Sequence, residues 1–168
     1  ILKNKPYHEM LKIKILDPAC GSGSFLIKAF EILDRHLQHE SNQFNASSIV
    51  NKARKLAILT SNIYGVDLDF EAVEIAQLNL LLKALEEREH LPNLSHNIEC
   101  GNSLIFGTEE ELKKYFGNNW KDKKPFNWEE RFEDVFKQGG FDVIIGNPPY
   151  IDSEEMIKKD KDLRLYCS

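Results

Sequence analysis

Short apolar segments rich in β-branched residues alternate with longer segments of helical periodicity, and this alternation constrains the fold more than any other feature of the chain. It is the order that produces parallel βαβ units. The apolar segments predict four strands, at 13–16, 62–68, 96–100 and 141–146. The segments between them predict two helices before the second strand, beginning at residues 23 and 48, and one before the third strand, beginning at residue 69.

Right-handed crossover connections determine the expected strand order. The first strand should lie centrally, with the second and third strands on one side and the fourth on the other. The predicted fold class is therefore α/β, a Rossmann-like doubly wound parallel sheet of about four strands with flanking helices. Ligands of such sheets bind outside the carboxyl ends of the strands, and here the winding reverses between the first and fourth strands.

Composition excludes several classes of protein. A chain of 168 residues with 42% hydrophobic residues is enough for one domain with a core, and no apolar run approaches the ~20 residues of a membrane span. Three scattered cysteines, Cys20, Cys100 and Cys167, have neither disulfide nor zinc spacing, so we expect reduced thiols, no metal and a cytoplasmic protein. The net charge of −5 argues against tight, non-specific binding to nucleic acid.

The string DPACGSGSF places two glycines, Gly21 and Gly23, between the first strand and its helix. Glycines there allow a tight turn and close approach of the backbone to a ligand. The third glycine of the dinucleotide fingerprint is missing, and Asp17 would repel a diphosphate. The turn therefore favours a ligand with an ammonium group over NAD.

Polar residues follow the next two strands at their carboxyl ends. Asp67 can accept the hydroxyl hydrogens of a ribose, and Leu68 offers an apolar surface for one face of an adenine ring. Asn102 has both an acceptor and a donor, which suit the edge of an adenine. An ordinary turn explains each of these residues taken alone.

The string NPPY follows the fourth strand directly, and it is the most specific motif in the chain. Two prolines stiffen the segment and leave carbonyl groups without nearby N–H donors. The side-chain oxygen of Asn147 and the carbonyl of Pro148 can accept both hydrogens of a planar amine, and Tyr150 can stack on a base.

The polar stretch before this strand carries Trp128, Phe132 and Phe136 at intervals of four residues. This spacing predicts a short amphipathic helix that packs one aromatic face on the core. A platform for stacking bases is the alternative. The lysine-rich strings at 121–124 and 158–161 are interpreted as solvated surface.

Taken together, DPACGSGSF, IYGVDLD, GNSL and GNPPYI resemble the S-adenosylmethionine-dependent adenine-N6 DNA methyltransferases, especially restriction–modification enzymes in which methylase and nuclease share one polypeptide. The resemblance spans residues 13–151. It implies a class I methyltransferase fold and methyl transfer from S-adenosylmethionine to N6 of an adenine flipped out of double-stranded DNA.

The resemblance also implies roles for individual residues. Asp17, Ala19, Gly21 and Gly23 would line the methionine side of the cofactor, Asp67 would hold the ribose, Leu68 would face the adenine, and Asn102 would bond its edge. The family usually has aspartate at the last position. Asn147, Pro148 and Tyr150 would bind the target adenine as the catalytic residues.

Family members of this kind are longer, so we expect a single partial catalytic domain over residues 1–168. Its parts would be a cofactor-binding core at 12–106, a polar insertion at 107–140, a catalytic strand and loop at 141–152, and a tail at 153–168. Most DNA contacts would then lie in domains outside this chain, and the fragment alone would have weak activity or none.

Three other functions remain open at this point. Protein glutamine N5-methyltransferases share NPPY, but their first motif is closer to DxGTGSG. A module that binds S-adenosylmethionine without catalysis would be expected to have a damaged NPPY. An oxidoreductase is disfavoured by the missing third glycine.

Overall fold

The computed structural model describes residues 6–40, 48–84, 91–148 and 161–167, and these form an α/β structure. The strands are β1 (Ile15–Asp17), β2 (Ile63–Asp67), β3 (Ile98–Cys100) and β4 (Val143–Ile144). The helices are α1 (Tyr7–Met10), α2 (Ser24–Glu40), α3 (Ser48–Ser61), α4 (Phe70–Ala84), α5 (Glu109–Phe116), α6 (Trp128–Arg131), α7 (Glu133–Lys137) and α8 (Lys161–Cys167), and a 3-10 helix spans Gly117–Lys123. None of these helices combines the length and apolarity that a membrane span requires.

The four strands form one parallel sheet in the order β3-β2-β1-β4, which confirms the predicted order and fold class. In the register of the sheet, Ile15 is aligned with Ile63 on one side and with Val143 on the other. All four strands are shorter than the apolar segments that predicted them. Ile13, for example, is 3% exposed but precedes β1, because burial extends beyond the residues that pair across the sheet.

Helices α1 to α4 contribute to the larger core on one face of the sheet. Four residues that share one face of α2 are at most 2% exposed: Leu26, Phe30, Leu33 and Leu37. They belong to the same cluster as Ile15, Ile63 and Ile98, the strand residues of that face. The helical periodicity that predicted α2 therefore arises from burial against the sheet.

The opposite face packs against the segment before β4. Leu16, Tyr64 and Val66 are buried there, against the segment that carries α6 and α7. Because successive strand residues point to opposite faces, both faces of this sheet are covered, as a doubly wound fold requires.

The prediction that Trp128, Phe132 and Phe136 lie on one helix is wrong. Two short helices meet at Phe132, whose φ of −115° and ψ of 43° are not helical. The break accompanies insertion of the Phe132 ring beside Tyr64 and Phe141, with centroid distances of 5.5 Å to each. Core packing is confirmed for Phe132, at 3% exposed, whereas Phe136 remains 37% exposed.

A third, smaller cluster lies in the insertion between β3 and β4. Ile105, Leu112 and Phe116 are buried in it, and Leu163 and Tyr166 of α8 pack against them. Helix α5 begins with a capping box, in which Thr108 and Glu111 satisfy each other's backbone N–H groups.

Candidate active site

The turn between β1 and α2 is organised around the carboxylate of Asp17, the last residue of β1. Asp17 is 1% exposed, and its Oδ1 accepts the Ala19 N–H at 3.1 Å. Within the described part of the chain its Oδ2 has no hydrogen-bond partner. A buried carboxylate oxygen without a partner is unfavourable, so this oxygen is suited to a ligand that is cationic or carries N–H groups.

The environment of this turn changes the acidity of two groups. Burial raises the pKa of the Asp17 carboxyl; the Ala19 N–H opposes this change and the charge of Asp67 adds to it. Burial, followed by Asp67 and Asp17, raises the pKa of Cys20 to about 12. The Cys20 thiol therefore stays protonated near neutral pH, which excludes it as a thiolate nucleophile.

The two glycines of the turn have different surroundings. Gly21 has a φ of +50°, and a Cβ at this position would have no heavy atom within 4 Å. Gly23 has a φ of +86°, and its Cβ would lie 3.2 Å from the Cβ of Ala76 in α4. Gly21 thus leaves open space beside the turn, whereas Gly23 permits the turn to pack closely on α4.

Asp67 joins the end of β2 to the glycine turn. Its Oδ2 accepts the Gly21 N–H at 2.7 Å, and its Oδ1 accepts the Asp69 N–H at 3.0 Å. Each carboxylate oxygen can accept a second hydrogen bond, so Asp67 can still take the hydroxyl groups of a ribose. Leu68, the next residue, is 51% exposed.

Asn102, after β3, is held by a segment of the insertion. Its N–H donates to the Lys124 carbonyl at 2.7 Å, and its Oδ1 accepts the Leu104 N–H at 3.1 Å. The Lys124 Nζ in turn donates to the Leu68 carbonyl at 3.2 Å. Lys124 therefore connects the segments that follow the carboxyl ends of β2 and β3.

The segment after β4 runs directly past Asp17. Ile145 donates its N–H to the Leu16 carbonyl at 2.8 Å, and a Cβ on Gly146 would lie only 2.8 Å from Asp17 Oδ1. Asn147 and Pro148 follow at the surface and are exposed. Tyr150, the third predicted catalytic residue, lies outside the described residues.

Sequence reasoning missed Gly146 and Lys124. Gly146 had a usable signal, because a glycine directly before NPP is compatible with a close approach of two backbones. Lys124 had no local signal, since the carbonyl that its side chain contacts lies 56 positions earlier in the chain.

The residues around the turn fit S-adenosylmethionine. The unpartnered Asp17 oxygen suits a positive charge, Gly21 leaves room beside the backbone, Asp67 has free lone pairs for a diol, and Leu68 presents an apolar surface. Among the described side chains, no group of three or more His, Cys, Asp and Glu residues could hold a metal ion.

Comparison with known proteins identifies the family. The family model of the Eco57I restriction-modification methylase matches residues 61–167, which is more than half of the chain. The chain belongs to this family. A second model, of an RMKL-like methyltransferase domain, matches residues 12–103.

Relatives of this methylase family include much longer proteins. The type II restriction enzyme and methyltransferase RM.Eco57I of Escherichia coli is 34% identical over 98% of this chain and 17% of that protein. A putative type II restriction enzyme and methyltransferase of Methanocaldococcus jannaschii is 41% identical over 63% of this chain and 10% of its own length. The adenine-specific methyltransferase PglX of Streptomyces coelicolor is 30% identical over 83% of this chain and 12% of its own length. The chain thus spans less than a fifth of each relative.

Proposed function

We propose that this chain is catalytic machinery of an enzyme that transfers a methyl group from S-adenosylmethionine to N6 of an adenine flipped out of double-stranded DNA, within a restriction–modification system. The close approach of Gly146 to Asp17 carries the proposal. It brings the NPP segment beside the same turn whose buried carboxylate and open glycine suit the cofactor. Membership of the methylase family supports the same chemistry.

Three chain segments at the carboxyl edge of the sheet would share the contacts to the cofactor. Asp17, Ala19, Gly21 and Gly23 contribute to the methionine side, Asp67 accepts the ribose hydroxyls, Leu68 covers one face of the adenine, and Asn102 bonds the adenine edge. Asn102 differs from the usual aspartate because it accepts without a negative charge, which weakens its bond to an amine.

The target base would be held by the segment after β4. Asn147 Oδ1 and the Pro148 carbonyl accept the two hydrogens of the adenine N6, and Tyr150 stacks on the ring. Accepting both hydrogens favours a pyramidal N6, whose lone pair is then less delocalised into the ring. N6 would form the new N–C bond as the C–S bond breaks to leave a neutral thioether, and N6 would then lose one proton to solvent. The cofactor, when bound, supplies an electrophilic methyl group on its sulfonium. The residues of this chain contribute alignment of the nitrogen, and no covalent bond to the protein is formed.

In this proposal residues 1–168 are one partial catalytic domain, with the cofactor core at 12–106, the polar insertion at 107–140, the catalytic strand and loop at 141–152 and a tail at 153–168. With a net charge of −5, the chain has no excess of cations over anions to neutralise DNA phosphates. We assign most DNA contacts to the additional length of the parent protein, and we place that protein in the cytoplasm.

Methyl transfer can be tested with tritiated S-adenosylmethionine and random-sequence duplex DNA that contains mismatched adenines, because a mismatch lowers the cost of flipping. We expect slow formation of N6-methyladenine, identified by mass spectrometry after digestion to nucleosides. Asn147→Ala should abolish the product and retain cofactor binding measured by calorimetry.

Three results would contradict this function. These are methylation of cytosine, methylation of a glutamine amide in a protein offered in parallel, or saturable binding of NADH in place of S-adenosylmethionine. The glutamine result would identify a protein methyltransferase, and the NADH result would identify an oxidoreductase.

A further inference from the structure

Residues Lys124, Pro125 and Phe126, here called the brace, run alongside the segment that follows β3. Pro125 forms an isolated parallel bridge with Asn102, and the Phe126 N–H donates to the Ile105 carbonyl at 2.7 Å. The brace is thus paired, through one isolated bridge and the hydrogen bonds beside it, with the chain that follows β3, where the adenine-binding residue is proposed to lie.

The brace is anchored by the ring of Phe126. This residue is 1% exposed, and its ring lies 4.8 Å from that of Trp128, centroid to centroid. A Cβ on Gly101 would lie 2.5 Å from Phe126 Cδ2, so the backbone before Asn102 rests directly on this ring. The position of Lys124 is therefore determined by the core.

Lys124 uses its main chain and its side chain for different contacts. Its carbonyl accepts the Asn102 N–H at 2.7 Å, and its Nζ donates to the Leu68 carbonyl at 3.2 Å. The Cys100 thiol, a weak donor, also contacts this carbonyl, at 3.5 Å. One lysine thereby connects the segment proposed to bind the ribose with the segment proposed to bind the adenine.

The backbone of Lys124 is in an unfavourable conformation. With a φ of +50° and a ψ of 53°, it is the only non-glycine residue with positive φ in the described part of the chain. It follows the 3-10 helix, a position where glycine or asparagine would be less strained. Strained residues of this kind are concentrated at functional sites, and the lysine side chain supplies a contact that glycine could not make.

We propose that Lys124 is a positioning residue for the adenosine half of the cofactor. By holding the Leu68 carbonyl and the Asn102 backbone at a constant separation, it sets the spacing between the ribose and adenine positions. This inference rests on the proposed function, because it assumes that an adenosine group binds between Leu68 and Asn102.

The test measures binding of S-adenosylmethionine and of 5′-methylthioadenosine, which carries the adenosine half alone, by calorimetry. Loss of a charged donor predicts about tenfold weaker binding of both ligands by Lys124→Ala. Lys124→Arg should recover most of the affinity, since a guanidinium can reach the same carbonyl. Lys121→Ala is the matched control. It also removes a lysine side chain, but one in the preceding 3-10 helix, whose Nζ lies 5.5 Å from the Trp120 ring centroid.

Lys124→Gly separates positioning from stability. Glycine relieves the backbone strain, so this variant should melt at a higher temperature than wild type and still bind adenosine ligands about tenfold more weakly. Unchanged affinity in the alanine and glycine variants, or failure of arginine to restore it, would overturn the role of Lys124. Methylation of cytosine or of a glutamine amide by a wild-type chain that binds adenosine ligands normally would instead refute the proposed function alone, and absence of binding by the wild-type chain would refute both.

Discussion

At the scale of single residues, Asp17 combines a structural disadvantage with a site for a ligand. Its buried Oδ2 has no hydrogen-bond partner among the described residues, and burial raises its pKa. A residue retained in such an environment reduces stability in the free protein and gains a counter-charge when a cationic ligand binds. Asp67, by contrast, is satisfied by two backbone N–H groups even without a ligand.

Asp17→Asn should therefore stabilise the free protein and weaken its binding of S-adenosylmethionine. We expect about 1 kcal/mol more stability at neutral pH, because the neutral amide loses less on burial than a carboxylate. The raised pKa means that ionised Asp17 is disfavoured in the folded state. The gain in stability of Asp17→Asn over wild type is therefore complete above the pKa that Asp17 has in the folded protein. The advantage should disappear below the ordinary aspartate pKa of about 3.9.

Chemical denaturation between pH 3 and pH 8 measures this effect, and calorimetry measures the loss of cofactor affinity. Asp122→Asn, at an exposed aspartate of the 3-10 helix, is the control and should change neither quantity. Unchanged cofactor affinity in Asp17→Asn would show that the carboxylate does not face the ligand.

At the scale of elements, an ion pair between a buried glutamate and a half-exposed arginine attaches the insertion to the sheet. Glu99 of β3 is 5% exposed and accepts from Arg131, the last residue of α6. Burial raises the pKa of Glu99, and Arg131 opposes this change. The Arg131 guanidinium also lies 5.5 Å from the Phe126 ring centroid, which joins this pair to the brace.

Arg131→Ala should destabilise the protein by about 2 kcal/mol at neutral pH, because it leaves the Glu99 carboxylate buried without its cation. The loss should shrink as the pH falls, since removal of Arg131 raises the pKa of Glu99 further and the protonated form needs no counter-charge. Urea unfolding at pH 5 and pH 8 measures both effects.

The double variant Glu99→Gln with Arg131→Ala should recover part of the stability, because a neutral amide then replaces the buried Glu99 carboxylate. Lys137→Ala removes a surface pair with Glu133 and should leave unfolding unchanged. Equal losses for Arg131→Ala at both pH values would contradict the assignment of the effect to Glu99.

At the scale of the whole molecule, the buried hydrophobic side chains of the described residues form three clusters with different roles. Two lie on the faces of the sheet, and the third holds α5 together with α8. Tyr166 of α8 makes hydrogen bonds to both the N–H and the carbonyl of Phe106, 60 positions earlier. The third cluster shares no buried residue with the other two, so it can open separately from the sheet.

Tyr166→Ala should therefore increase hydrogen exchange in residues 105–116 and leave the exchange of β1, β2 and β3 unchanged. The physical reason is that the substitution removes ring packing against Tyr115 and Phe116 as well as the contacts to Phe106. Exchange measured by mass spectrometry after proteolysis resolves these segments. Cys167→Ala, at an exposed neighbour in α8, is the control, and faster exchange throughout the sheet would show that the clusters unfold as one unit.

The amino-acid sequence by itself determined the fold class, the strand order and the positions of the main helices. These depend on local periodicity and on the handedness of βαβ connections, both of which are present in neighbouring residues. It also placed Asp17, Asp67, Asn102 and Asn147 at strand ends, because parallel strands bring their carboxyl ends to one edge.

Only the tertiary structure decided how those segments meet. It placed Gly146 against Asp17 and divided the aromatic helix at Phe132. It also brought Lys124 to the Leu68 carbonyl, 56 residues away along the chain. Such contacts depend on distant segments packing in one volume. A glycine before NPP is compatible with a close approach of two backbones, but no pattern within a short window of sequence identifies the partner segment.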